Sequence, residues 1–182
     1  MIFGITGYYG SGKDAVAKYL ESKGFIHHSL SDEIRFELNK RGMEITRENL
    51  IYLGNELRKE HGPSVIAKIL SNKLEQDKNY ILTSIRNPSE ALELKKLENF
   101  KLISLDGPIE QRFERVKTRN REEDPKTIEE LKEKEKIEES NDETKQQLHK
   151  VRDLSDIKIN NNSTLEALYD QINSILPGNS YK

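Results

Sequence analysis

Ile2-Phe3-Gly4-Ile5-Thr6-Gly7-Tyr8-Tyr9-Gly10-Ser11-Gly12-Lys13-Asp14 is the stretch that decides the fold. Its first five residues are a nearly unbroken apolar, β-branched run, the pattern of a parallel strand covered on both faces. Gly7 to Gly12 is a glycine-rich turn. From Lys13 the apolar residues Ala15, Val16, Tyr19 and Leu20 fall at helical spacing, with Gly24 as the stop. Strand, glycine turn and helix in that order match G-x-x-x-x-G-K in the context that gives the motif meaning. Glycines let successive backbone N–H groups turn inward around a phosphate without Cβ clashes. The helix aims its partial positive end at the same anion, and Lys13 brings a point charge to the β and γ phosphates.

Asp14 departs from the motif, standing where Ser or Thr offers a hydroxyl to Mg²⁺. A carboxylate is also a hard oxygen ligand. Sites of this kind often hold the metal with an acid at the end of a core strand. The corresponding strand end here is Thr83-Ser84, without an acid. Two readings stand: Asp14 supplies the missing metal carboxylate, or it is a helix-start acid favoured by the dipole. Asp106 is a further candidate carboxylate.

Working outward, Phe25-Ile26-His27-His28, Tyr80 to Ile85, Lys101 to Leu105 and Asp156 to Asn160 read as the remaining strands. His27 and His28 are adjacent on a strand, so they point to opposite faces and do not form a chelating pair. Tyr8 and Tyr9 shape the mouth of the loop. Helices are expected from an N-cap at Ser31, from Thr46, from Val65, from Pro88, after Pro108 and from Thr164. Strands alternating with helices predict an α/β protein with a five-stranded parallel sheet flanked by helices in three layers. The expected organisation is one domain over 1–176, with a frayed tail at 177–182.

The composition narrows the function. The chain has 182 residues, net charge −2, 34% charged and 34% hydrophobic residues. Charge is above the usual ~25%, so part of the chain carries it outside the core. Residues 121–150 hold seven Lys/Arg against eleven Asp/Glu, with few aliphatics. That pattern reads as a solvated helix or mobile excursion. No Cys is present, which excludes disulfides, thiolate metal sites and thiol nucleophiles. No apolar run nears the ~20 residues of a membrane span. The near-neutral balance gives no basic field for nucleic acid or an anionic membrane. A cytoplasmic protein acting on a small molecule, without nucleic-acid or membrane partners, is expected.

With these residues in place the chain resembles the P-loop nucleoside monophosphate kinases. It is most similar to dephospho-CoA kinase and to archaeal adenylate-kinase-related proteins, from Ile2 to about Ile175. The resemblance implies ATP and Mg²⁺, bound at Gly7, Gly10, Ser11, Gly12, Lys13 and Asp14. Ser31-Asp32-Glu33-Ile34-Arg35 resembles the acceptor segment, which implies that Arg35 grips an acceptor phosphate and Asp32 sits near it. Asn55 to Pro63 resembles a segment of the archaeal group and makes Arg58 a second acceptor-side candidate. Ser84-Ile85-Arg86-Asn87-Pro88 looks like the strand end where these kinases set an arginine on the acceptor phosphate.

Asp106 to Arg119 resembles the dephospho-CoA kinase stretch entering its lid. Arg115 and Arg119 match paired positions that meet adenine and ATP phosphates, and one helical turn apart they face the same way. Arg112 reads as surface charge, and Arg121 is a weaker lid candidate. Ile159 to Thr164 resembles the segment bordering adenine, which implies a role for Asn161. The acceptor part is then expected at about 31–76 and a helical lid at about 119–152. The catalytic set becomes Lys13, Arg86, Arg115 and Arg119, with Asp32 as base if the acceptor is a hydroxyl. The implied activity is phosphoryl transfer to a nucleotide-like phosphorylated acceptor. Dephospho-CoA kinase-like hydroxyl phosphorylation, or a nucleotide-binding regulatory protein with little turnover, are the alternatives.

Overall fold

A computed structural model describes residues 1–119 and 124–176. Arg121 and the tail at 177–182 lie outside them. Five strands pair in parallel in the order β2-β3-β1-β4-β5. They are β1 (Ile2–Gly7), β2 (Ile26–Ser29), β3 (Tyr80–Thr83), β4 (Phe100–Asp106) and β5 (Ile157–Asn160). Between them run α1 (Lys13–Glu21), α2 (Leu30–Lys40), α3 (Arg47–His61), α4 (Val65–Ser71), α5 (Pro88–Leu94), α6 (Ile109–Arg119), α7 (Ile128–Ile137) and α8 (Leu148–Asp153), and α9 (Leu165–Ser174) follows β5. None of these helices is long and apolar enough to cross a membrane.

Strand alternation sorts the core into two layers. Phe3, Ile5, Ile81, Ile103 and Leu105 face α1 and α9, where Val16, Leu20, Leu168 and Ile172 meet them. Tyr80, Leu82, Phe100 and Leu102 face the other way, against α2, α3, α4, α5 and α8. The connections leaving β1 and β3 therefore depart to opposite faces of the sheet. The crevice outside the carboxyl ends of these two neighbours is where such sheets bind ligands.

Two local expectations shift. The cap of α2 is Ser29, whose Oγ accepts from the Ser31 N–H at 3.3 Å, so the cap lies two residues before the expected Ser31. β3 stops at Thr83 because Ser84 turns to φ 62°, leaving the strand direction before Ile85. Thr46, Asn87 and Thr164 cap α3, α5 and α9 through their side chains.

The charged stretch is more built-in than its composition suggests. Leu131 and Leu148 are fully buried, as are Glu138 and Gln147. Asn87 Nδ2 donates to the carbonyls of Glu143 and Lys145, and the Gln147 N–H donates to Arg86 O at 2.8 Å. These bonds sew the segment to the turn after β3.

Candidate active site

The glycine turn takes the cradle form its composition implies. Gly10 has φ +67°, and a Cβ there would strike the carbonyl of Arg112; Gly12 has φ +104° and lies against the Asn161 amide. Both positions need glycine for conformation and for space. Gly12 caps α1 with no side chain, so the first N–H groups of the helix stay available to an anion. Ser11 Oγ is buried without a hydrogen-bond partner, an orphaned polar atom in the same loop. Lys13 Nζ folds back onto the carbonyls of Gly7 and Tyr8. Its ammonium is lowered to about 8, chiefly by burial, with Glu138 and Asp14 raising it and Arg86 and Arg119 lowering it.

Two cavities meet at this loop. The smaller, about 350 Å³, lies between the loop and Arg115, Asn161 and Leu168. Asn161 Nδ2 donates to Ser11 O at 3.0 Å, and Arg115 Nη2 donates to Asn161 O at 2.9 Å. Burial and the neighbouring Arg112 lower the Arg115 guanidinium. The larger cavity, about 490 Å³, opens over β1 and β3. Among the described residues, Lys13, Arg35, Arg47, Arg58, Arg86 and Arg119 line it against the acids Asp14, Asp124 and Glu138.

The expected residues divide between the two cavities. Lys13, Asp14 and Arg119 line both cavities, Arg115 and Asn161 the smaller, and Arg35 and Arg86 the larger. Arg119 grips Asp124 through Nε and Nη2 at 2.7 and 2.6 Å and lies 3.8 Å from Asp14. Asp32 lies off the cavity wall, its exposed carboxylate paired with Arg35 at 2.7 Å. Arg58 reaches the wall but is buried and spends Nε on the buried Glu90 at 2.9 Å. Asp106 is engaged by Arg152. Arg112, expected as surface charge, is instead buried. It donates to Tyr9 O at 2.9 Å and Gly107 O at 3.0 Å and pairs with Glu135, so it braces the loop from below.

Three contributors escaped the sequence reading. Arg47 donates to Tyr9 Oη and to Glu138 Oε1, and Glu138 also stands 3.3 Å from Arg86 Nε. Gln146, on the same wall, keeps a buried Oε1 without a partner. Arg47 left one signal: it opens α3, where the helix dipole opposes a cation, so a compensating anion is required.

For a metal, no group of three or more His, Asp or Glu among the described residues is arranged as a cage. Mg²⁺ does not need one, since it keeps water and binds through one or two carboxylates plus phosphate oxygens. The exposed Asp14 carboxylate, in the first turn of α1 and on both cavity walls, fits that donor set.

A UPF0200 protein of Pyrococcus abyssi (strain GE5 / Orsay) is 38% identical over 145 residues, 76% of this chain and 78% of its own. The chain belongs to the UPF0200 family. A family model described as an AAA domain also matches residues 4–146 of this UPF0200 chain, spanning the phosphate loop and most of the charged segment. Among solved structures, TT1252 of Thermus thermophilus superposes with TM-score 0.60 and 21% identity, over 97% of this chain and 98% of that one. Shikimate kinase of Acinetobacter baumannii gives TM-score 0.58 and 18% identity, over 100% and 95%. The UPF0200 chain therefore has the fold of the P-loop kinases.

Proposed function

We propose that the chain is a Mg²⁺-ATP-dependent phosphotransferase whose acceptor is a nucleotide-like phosphorylated molecule. One observation carries the reading. Among the described residues, six basic side chains from five separate segments line a single cavity beside the phosphate loop, against three acids, in a protein of net charge −2. Such convergence suits two polyanions held end to end. Phosphoryl transfer asks for alignment and charge neutralisation and little covalent help.

In this reading ATP supplies the transferable γ-phosphoryl group, with Mg²⁺ beside Asp14. The loop N–H groups and Lys13 neutralise donor charge, helped by Arg119. Arg115 and Asn161 border the base. Arg35, Arg47 and Arg86 align the acceptor, and α7 with its flanking turns closes over the cavity as a lid that keeps water from competing. A phosphate acceptor needs no general base. The position of Asp32 off the cavity wall weighs against the hydroxyl-acceptor alternative.

The regulatory-protein reading draws on a different observation: Arg119 and Arg86 are already engaged by the protein's own Asp124 and Glu138. Coupled ADP formation against AMP, CMP, UMP, deoxynucleoside monophosphates and dephospho-CoA tests these readings. Acceptor-stimulated ADP formation is expected for a nucleoside monophosphate. Tight ATP binding with no stimulation by any acceptor would sink the kinase reading.

A further inference from the structure

Glu138 follows the last turn of α7 and is only 3% exposed, yet it lines the larger cavity. Its Oε1 accepts from Arg47 Nη2 at 3.2 Å and stands 3.3 Å from Arg86 Nε. Its field also reaches Lys13. Arg47 and Arg86 come from separate segments, the start of α3 and the turn after β3. A single carboxylate oxygen held between two guanidiniums stands where one oxygen of a phosphate could stand.

We propose that Glu138 is an exchangeable internal carboxylate that occupies the acceptor's anion seat and is displaced by the acceptor's phosphate. The inference rests on the reading of a phosphorylated acceptor. A phosphate and Glu138 cannot share the seat, because like charges in a desolvated pocket repel. A phosphate dianion outbids a single carboxylate for two guanidiniums; neutral or weakly anionic molecules do not. Glu138 thus selects acceptors by charge.

Displacement also moves structure. Glu138 caps α7 and its carbonyl accepts from the Leu148 N–H at 2.8 Å, so the carboxylate does not leave without the end of α7. The seated segment is not fully satisfied, since Gln146 Oε1 and Gln147 Nε2 are buried without partners. Their release offsets part of the cost of unseating it. By linkage, whatever holds α7 away from the seat raises affinity for the acceptor by the same factor.

The test uses ADP to fill the phosphate loop and inorganic phosphate as the acceptor probe. Calorimetry follows ADP binding first, then phosphate binding to the ADP complex, in wild type and Glu138→Gln. The variant is expected to bind phosphate about tenfold or more tightly, a gain of about 1.4 kcal/mol. Equal or weaker binding overturns the exchange. Absent ADP binding overturns the kinase reading alone, and the phosphate comparison then decides the exchange in nucleotide-free protein.

A second measurement leaves Glu138 intact. With no native Cys, spin labels at the exposed positions Lys18→Cys and Lys132→Cys report the distance from α1 to α7. Phosphate is expected to shift that distance; an unchanged distance overturns the proposal.

Discussion

The ammonium of Lys13 donates to the carbonyl of Gly7 at 2.6 Å, so the lysine rests on its own loop. Burial holds it near 8, below its ordinary 10.5. An incoming phosphate keeps the amine charged. ADP binding is therefore expected to take up almost no proton at pH 7, and a rising fraction of one proton as pH passes 8. Calorimetry in two buffers of different ionisation enthalpy reads that uptake, and Lys13→Arg abolishes it because guanidinium stays charged. In the ligand-free protein the unfolded state holds more protons than the fold between about 8 and 10.5, so stability rises with pH across that window.

Gly10→Ala combines left-handed backbone with a clash on the Arg112 carbonyl. The expected loss is about 2 kcal/mol or more, a fall of about 4–8 °C in melting midpoint for a domain of this size. Gly24→Ala is the control. It has φ +89° but open space around it, and should cost about 1 kcal/mol. Equal costs at the two sites would refute the packing argument.

Arg58 and Glu90 form a buried ion pair at 2.9 Å. Arg58→Ala strands a buried carboxylate and should cost about 3–5 kcal/mol in urea unfolding. Replacing both partners, Arg58→Met with Glu90→Leu, should recover most of it. A double variant as unstable as Arg58→Ala would show that Arg58 does more than pair with Glu90.

Asp14→Ser exchanges the carboxylate for a hydroxyl at the first turn of α1. If Asp14 holds the ion, the preference for Mg²⁺·ADP over free ADP should drop about tenfold, the scale of one charge-assisted contact. An undiminished preference returns Asp14 to a helix-start acid.

The sheet was legible because its strands are short apolar runs bounded by Gly, Pro and Asn, and because Gly7 to Lys13 ties one of them to a helix. Lys13 was legible for the same reason, since it closes the glycine motif that follows β1; Arg115 and Asn161 were legible from the resemblance alone, and the structure places both on the wall of the smaller cavity. What could not be read is partnership across distance. Arg112 and Arg119 look alike on α6, and only the Tyr9 and Gly107 carbonyls beside Arg112 decide which is buried. Glu138 sits in a run of lysines and glutamates, where nothing local separates it from Glu133 or Glu139. Its role comes from Arg47, ninety-one residues away in sequence. Ser29 and Ser31 are equivalent in type as caps, and only backbone direction chooses Ser29.

The central position of β1 has a consequence for how the protein is made. Ile2 pairs with both Tyr80 and Phe100. The strand that carries the phosphate loop therefore emerges long before either neighbour that completes it. At usual synthesis rates that delay is about 5–20 s. During it an apolar strand with two open edges is exposed to other chains. The phosphate loop is thus carried on a strand that completes its pairing late, and a chaperone or a covering partner has its longest opportunity at β1.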